Sequence, residues 1–211
     1  QGHTNVIQAL LIKGAKITKK DETGKTALAH AATQDHFPTA KILIKFGADL
    51  NHDLLYAARR GYNKMVNFLL NEKANVDYIS VKSETALTLA IQEKQIETVR
   101  ILLESGANTA VQNAKEQTPL MIAVLTGEIE IVKLILQHQK QDTSPDKLDT
   151  TDLIGNTPLM VSADKGFLDI AKLLIKRGAK VENVNRWNET ALMFASSKGF
   201  REIVDLLLKH G

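Results

Sequence analysis

Cysteine is absent from the 211 residues, which excludes disulfides, thiolate metal sites and a cysteine nucleophile and points to a reducing, cytoplasmic setting. Long apolar runs are absent too. Nothing approaches the ~18 residues of a membrane span, and Gln1-Gly2-His3-Thr4 has neither the basic start nor the apolar run of a signal peptide, so this stretch reads as soluble. Charge of one sign never bunches: the net charge is +3, but Lys and Arg are interspersed with Asp and Glu. A nucleic-acid footprint needs a basic stripe interleaved with aromatics, and aromatics make up 5% of the chain. Arg59-Arg60 with Tyr56 and Tyr62 is the nearest approach to one and reads more simply as solvated charge after a helix. Catalytic signatures are missing as well. The histidines, His3, His30, His36, His52, His138 and His210, stand neither at metal-ligand spacing nor beside a carboxylate cluster. Gly24-Lys25-Thr26 lacks the upstream glycine and the strand of a phosphate loop, and a helix-capping role for Thr26 accounts for it. No enzyme, cofactor, metal or nucleic acid is expected.

What the chain does have is repetition. With 44% hydrophobic and 24% charged residues it has the composition of a folded protein. Leu28, Leu54, Leu87, Leu120, Leu159 and Leu192 recur at spacings of 26, 33, 33, 39 and 33. Gly14-Ala15, Gly47-Ala48, Gly106-Ala107 and Gly178-Ala179, with Gly211, fall in the same phase. Each unit reads as a turn, a short helix, a tight loop and a second helix. Turns are Asp21-Glu22-Thr23-Gly24 and Asp152-Leu153-Ile154-Gly155, with glycine supplying a positive φ. Thr26, Thr85, Thr118, Thr157 and Thr190 are placed to cap the first helix, with Pro119 and Pro158 at its first position. Small residues such as Ala31-Ala32, Ala57-Ala58, Ala90, Ala123 and Ala195 allow close packing, and Gly61, Gly127, Gly166 and Gly199 end that helix. The second helix carries apolar triplets, from Ile42-Leu43-Ile44 to Leu206-Leu207-Leu208, that a helix pair alone cannot bury. Stacked neighbours must cover them, which predicts an all-α solenoid.

The run Asp-x-x-Gly-x-Thr-Pro-Leu, then small residues, Gly, an apolar triplet and Gly-Ala, resembles the ankyrin repeat, best at 152–179 and 21–48. The resemblance covers essentially the whole chain. It implies helix-turn-helix units with β-turn fingers in a single domain, 1–211: a partial repeat at 1–20, then complete repeats at about 21–51, 52–77, 78–111, 112–151, 152–184 and 185–211. It also implies a scaffold that binds other proteins.

Departures from the family pattern are specific. Where the family has His after Thr-Pro-Leu, this chain has Ala29, Leu55, Thr88, Met121, Met160 and Met193, and methionine packing is expected to compensate. Lys73 and Gln139 stand where other units have Gly, so a left-handed residue there costs roughly 1 kcal/mol or the loop changes shape. The spacing of 26 before Leu54 removes one finger, and the spacing of 39 before Leu159 implies a polar insertion within Gln137 to Thr151. The last helix is as apolar as the internal ones and the first unit lacks its first helix. Solenoids need polar terminal faces, so a piece of a longer protein is expected.

The resemblance places partner binding on the finger tips and the exposed ends of the first helices, a concave face. Leu125, Leu153, Ile154 and Trp187, with Arg186, form the main candidate, on three successive repeats at roughly 10 Å per layer; exposed apolar clusters with Trp and Arg mark interaction sites. Val81, Lys82 and Lys115 are further tip positions, and Arg59 and Arg60 are candidates for meeting an acidic segment at the missing finger. Two roles follow. One is the targeting module of a larger protein, monomeric, in the cytoplasm or injected into a host's cytosol, since the Lys-rich, irregular repeats resemble ankyrin proteins of intracellular bacteria. The alternative is a regulatory segment of an enzyme whose catalytic domain lies outside these residues.

Overall fold

A computed structural model of the chain describes residues 4–138 and 148–211. His3, Gln139 and the 139–147 stretch of the expected insertion lie outside them. The described residues hold thirteen α-helices and no strand, an all-α repeat solenoid. The chain divides into two compact units, Gln1–Ala107 and Asn108–Gly211. The first contains α1 (Thr4–Ile12), α2 (Ala27–Thr33), α3 (Phe37–Lys45), α4 (Leu50–Arg60), α5 (Asn63–Asn71), α6 (Ala86–Gln92) and α7 (Ile96–Glu104). The second contains α8 (Pro119–Thr126), α9 (Ile129–His138), α10 (Pro158–Lys165), α11 (Leu168–Lys176), α12 (Ala191–Lys198) and α13 (Arg201–His210).

Helix starts follow from the threonines. Thr26, Thr85, Thr118, Thr157 and Thr190 each accept a hydrogen bond from the backbone N–H three residues on, satisfying a donor that the helix leaves without a partner. First helices are short and apolar nearly all round: Ala86 to Ile91 of α6 and Pro119 to Val124 of α8 are buried without a break. They are the inner layer, each packed on its own second helix and on neighbouring first helices, as α4 on α5 and α6, and α10 on α8, α11 and α12. Second helices are amphipathic and bury one stripe, Met65, Val66 and Leu69 in α5 and Ile170, Ala171 and Leu174 in α11. The apolar triplets are therefore not buried whole. At about 100° per residue three consecutive side chains cannot share one narrow face, and Leu207 is buried while Leu208 is exposed.

The position after Thr-Pro-Leu is filled in several ways. Met121 and Met160 are buried, and the N–H of Thr157 donates to Met160 Sδ at 3.4 Å. Thr88 closes a reciprocal cap, its Oγ1 accepting from the N–H of Thr85 at 2.9 Å. Met193 departs from the expectation: α12 packs on α10 and α13, and Met193 stays 55% exposed. Lys73 does take the left-handed conformation, with φ +73°.

Candidate functional site

The five fingers are built alike. The first residue of each turn, Asp21, Ser80, Asn113, Asp152 or Asn185, accepts on its side-chain oxygen from the backbone N–H two and four residues later. The fourth residue is left-handed in all five, glycine at 24 and 155 but Ser83, Glu116 and Asn188 in the others. Glycine is the sequence signal for this turn, yet three fingers form it without one; the side-chain staple common to all five holds the backbone, and Ser83, Glu116 and Asn188 carry a Cβ into the left-handed region. In Asn108–Gly211 neighbouring fingers are joined edge to edge. The N–H of Leu153 donates to the Lys115 carbonyl at 3.2 Å, and the N–H of Arg186 donates to the Ile154 carbonyl at 3.1 Å. Gly155 eases the second junction: at φ +84° a Cβ there would lie 3.0 Å from the Arg186 nitrogen and the neighbouring finger would have to give slightly.

Those two bonds draw Lys115, Leu153, Ile154, Arg186 and Trp187 into one ledge. Leu153 is 41% exposed, Ile154 39% and Trp187 62%, so Trp187 is not consumed by packing between fingers. Leu125 lies in the last turn of α8 and is exposed, but among the described residues no hydrogen bond ties it to the ledge. In Gln1–Ala107 the remaining candidates are separate. Val81 is fully exposed at a finger tip beside Lys82. Arg59 pairs with Glu84 at 3.2 Å, and the Arg60 guanidinium lies over the Tyr56 ring at 5.9 Å.

A family model of ankyrin repeats (3 copies) matches residues 1–79, 54–147 and 141–211. The chain belongs to the ankyrin-repeat family. Curated relatives include the ankyrin repeat and KH domain-containing protein mask-1 of Caenorhabditis elegans, 33% identical over 109 residues, 47% of this chain and 4% of the relative. The putative ankyrin repeat protein FPV244 of fowlpox virus (strain NVSL) is 35% identical over 92 residues, 40% of this chain and 14% of the relative. The probable E3 ubiquitin-protein ligase XBOS34 of Oryza sativa subsp. japonica is 31% identical over 109 residues, 47% of this chain and 21% of the relative. The matched stretch is thus a small part of each relative's length. Ankyrin repeats mediate protein–protein interaction, and among the described residues no helix is long and apolar enough to cross a membrane.

The irregular ankyrin repeat is the one without a finger. There α4 begins directly at Asp49, whose carboxylate accepts from the N–H groups of Asn51 and His52 at 3.0 and 3.1 Å. One turn on, Asp53 is 2% exposed and accepts from the Thr26 hydroxyl. The site of the missing finger is therefore acidic; Arg59 and Arg60 lie at the far end of α4, about 9 Å along its axis from Asp53. Burial pushes the Asp53 carboxyl up to about 6, with the Asp49 charge adding to it against the Thr26 hydrogen bond, Lys20 and His52. Two histidines each meet a single carboxylate: His52 Nδ1 lies 2.6 Å from Asp49 and His30 Nε2 2.6 Å from Asp21. The cap spacing produces the first contact and the fold-back of the finger onto α2 the second. Among the described residues no three such groups converge as a metal site.

Proposed function

We propose that the chain holds a partner protein or peptide on the concave face of its ankyrin repeats, with the ledge Lys115, Leu153, Ile154, Arg186 and Trp187 as the main contact and Leu125 at its margin. The observation that carries this is Trp187, 62% exposed on a turn pinned by Asn185 and bonded to the preceding finger. A large aromatic held rigid in solvent loses little entropy on burial against a partner. Val81, Lys82, Arg59 and Arg60 form a second contact in Gln1–Ala107, and Arg60 suits an acidic residue of the partner. The whole serves as the targeting module of a larger protein, with a bacterial effector acting in a host's cytosol as the source class and a monomer as the acting form.

The test is a quantitative pull-down with the native chain and a Leu153→Ser, Ile154→Ser, Trp187→Ser variant whose thermal melting is checked. A partner retained by the first and lost by an equally stable second supports the ledge. Early melting of the variant would make these residues core and remove it. A second reading, a regulatory segment of an enzyme, draws on the small share of each relative that the chain matches, one relative being named a probable E3 ubiquitin-protein ligase. It predicts a catalytic domain in the same gene, inhibited when this chain is added in trans.

A further inference from the structure

The interaction reading gives no role to the cleft at the missing finger. It lies within Gln1–Ala107 and measures about 200 Å³, lined by Ile17, Thr18 and Lys20 before α2, Thr26 at its cap, and Ala48, Asp49, His52 and Asp53 at the start of α4. A buried apolar cavity of ~150 Å³ accepts benzene, so this one suits a ligand of a few heavy atoms. The helices frame it: α4 packs closely on α6 and only sparsely on α2, as expected where a finger no longer fills the joint.

The lining narrows the chemistry. An ionised carboxylate has room for about four hydrogen bonds, yet among the described residues the one donor reaching Asp53 is the Thr26 hydroxyl, at 2.7 and 2.9 Å from its two oxygens. A hydroxyl has a single proton to give, and Thr26 Oγ1 meanwhile accepts from the N–H of Ala29. Asp49 is committed, to two backbone N–H groups and to His52, whose other ring nitrogen faces the Tyr78 hydroxyl at 3.4 Å. Asp53 is thus a buried acceptor with capacity to spare, in a cleft that the aliphatic groups of Ile17 and Ala48 also line. A buried carboxylate gains most from a ligand that brings both donors and positive charge.

We propose that this cleft binds a protonated primary amine on a short aliphatic body, its ammonium donating to Asp53 and its methylenes lying on Ile17 and Ala48. Such a group comes either as a free alkylamine or as the lysine side chain of a partner protein. Lys20 lines the same cleft and competes with it.

The experiment is an NMR titration of the full chain in mildly alkaline buffer with n-butylamine hydrochloride, beside n-butanol, which has a similar shape without the charge. Saturable shifts confined to the start of α4 and the residues before α2 are expected with the amine, and binding of butanol weaker by about tenfold or more. Asp53→Asn should abolish the amine response, and Ala48→Leu, which fills the cleft and keeps the carboxylate, should abolish it too. Lys20→Met should bind as tightly as the native chain or more so. Equal response to butanol, undiminished binding in Asp53→Asn, loss in Lys20→Met, or no saturable shift would each overturn the proposal. Competition by Nα-acetyl-lysine N-methylamide would assign the site to a partner's lysine, and its failure to compete would assign it to a free amine. The Leu153→Ser, Ile154→Ser, Trp187→Ser variant should respond to the amine unchanged, so this inference and the ledge can fail separately.

Discussion

Left-handed residues close the first helix of every described repeat, and two of the six, Asp35 and Lys94, are not glycine. Lys73 does the same at the end of α5, and Glu116 in a finger. Each carries a Cβ against the carbonyl that follows it, a strain of about 1 kcal/mol that glycine avoids. Lys73→Gly and Lys94→Gly should therefore raise stability in urea unfolding only slightly, by at most about 0.5 kcal/mol each, because the added freedom of the unfolded chain offsets much of the relieved strain. Asn188→Gly should gain less, because Asn tolerates this conformation better than Lys. The reverse change is more damaging where space is short. At Gly127, with φ +72°, a Cβ would lie 2.7 Å from the Phe167 ring, so Gly127→Ala should cost roughly 2–3 kcal/mol through strain and displacement of the ring.

Fingers are the elements that carry the proposed interaction, and each is held by two backbone hydrogen bonds across the turn together with the staple from its first side chain. Asn185 is 4% exposed; its oxygen accepts from the N–H groups of Trp187 and Glu189, and its amide nitrogen donates to Asn156 and Glu189. Asn185→Ala should cost roughly 2 kcal/mol, speed hydrogen exchange of the Arg186 and Trp187 amides, and weaken partner binding while leaving the exchange of α10 and α11 unchanged. Unchanged exchange at Trp187 would mean that the staple does not hold the finger. These elements were legible in the sequence to different depths. Thr26, Thr85, Thr118, Thr157 and Thr190 are read directly as caps because capping needs one oxygen at one position, and the structure places all five there. The Ser80, Asn113 and Asn185 fingers are harder to read, since glycine is the usual mark of the turn and Ser83, Glu116 and Asn188 take the left-handed position in its place. Lys115, Leu153, Ile154, Arg186 and Trp187 follow from counting along the repeat, because regular repeats place equal positions side by side. Asp53 was missed altogether. Its burial depends on the missing finger and on Thr26, 27 residues away, and no period in the sequence links the two.

At the scale of the whole molecule, Asp21, Asp49 and Asp53 each contribute to how stability varies with pH. Asp21 is held well below the usual carboxylate range, first by the Thr23 hydroxyl, then by the N–H of Lys25 and the His30 ring. At Asp49 burial works upward, but the N–H and ring of His52 and the N–H of Asn51 outweigh it and leave the group depressed. Both favour the folded state above the ordinary carboxylate range, and that contribution is lost as pH falls through their folded values. Asp53 has the opposite sign. Its ordinary value is 3.8 and its folded value about 6, so between these the folded chain binds the more protons and stability falls as pH rises. Lys20 and His52 face it with positive charge and Asp49 with negative. The loss across that window is at most about 3 kcal/mol, complete by neutral pH. Urea unfolding followed from pH ~4 to ~7 should therefore show stability declining, with an optimum on the acid side of the usual range of 5–8. Asp53→Asn keeps an acceptor for Thr26 and removes the titration, so its profile should lack the decline and it should be the more stable chain at neutral pH. A native profile that rises across this interval, or a variant that declines as the native chain does, would show that Asp53 is not the buried carboxylate governing stability. A saturating primary amine should lift the native chain at neutral pH and leave Asp53→Asn where it was, because the ammonium stabilises the ionised carboxylate that burial disfavours.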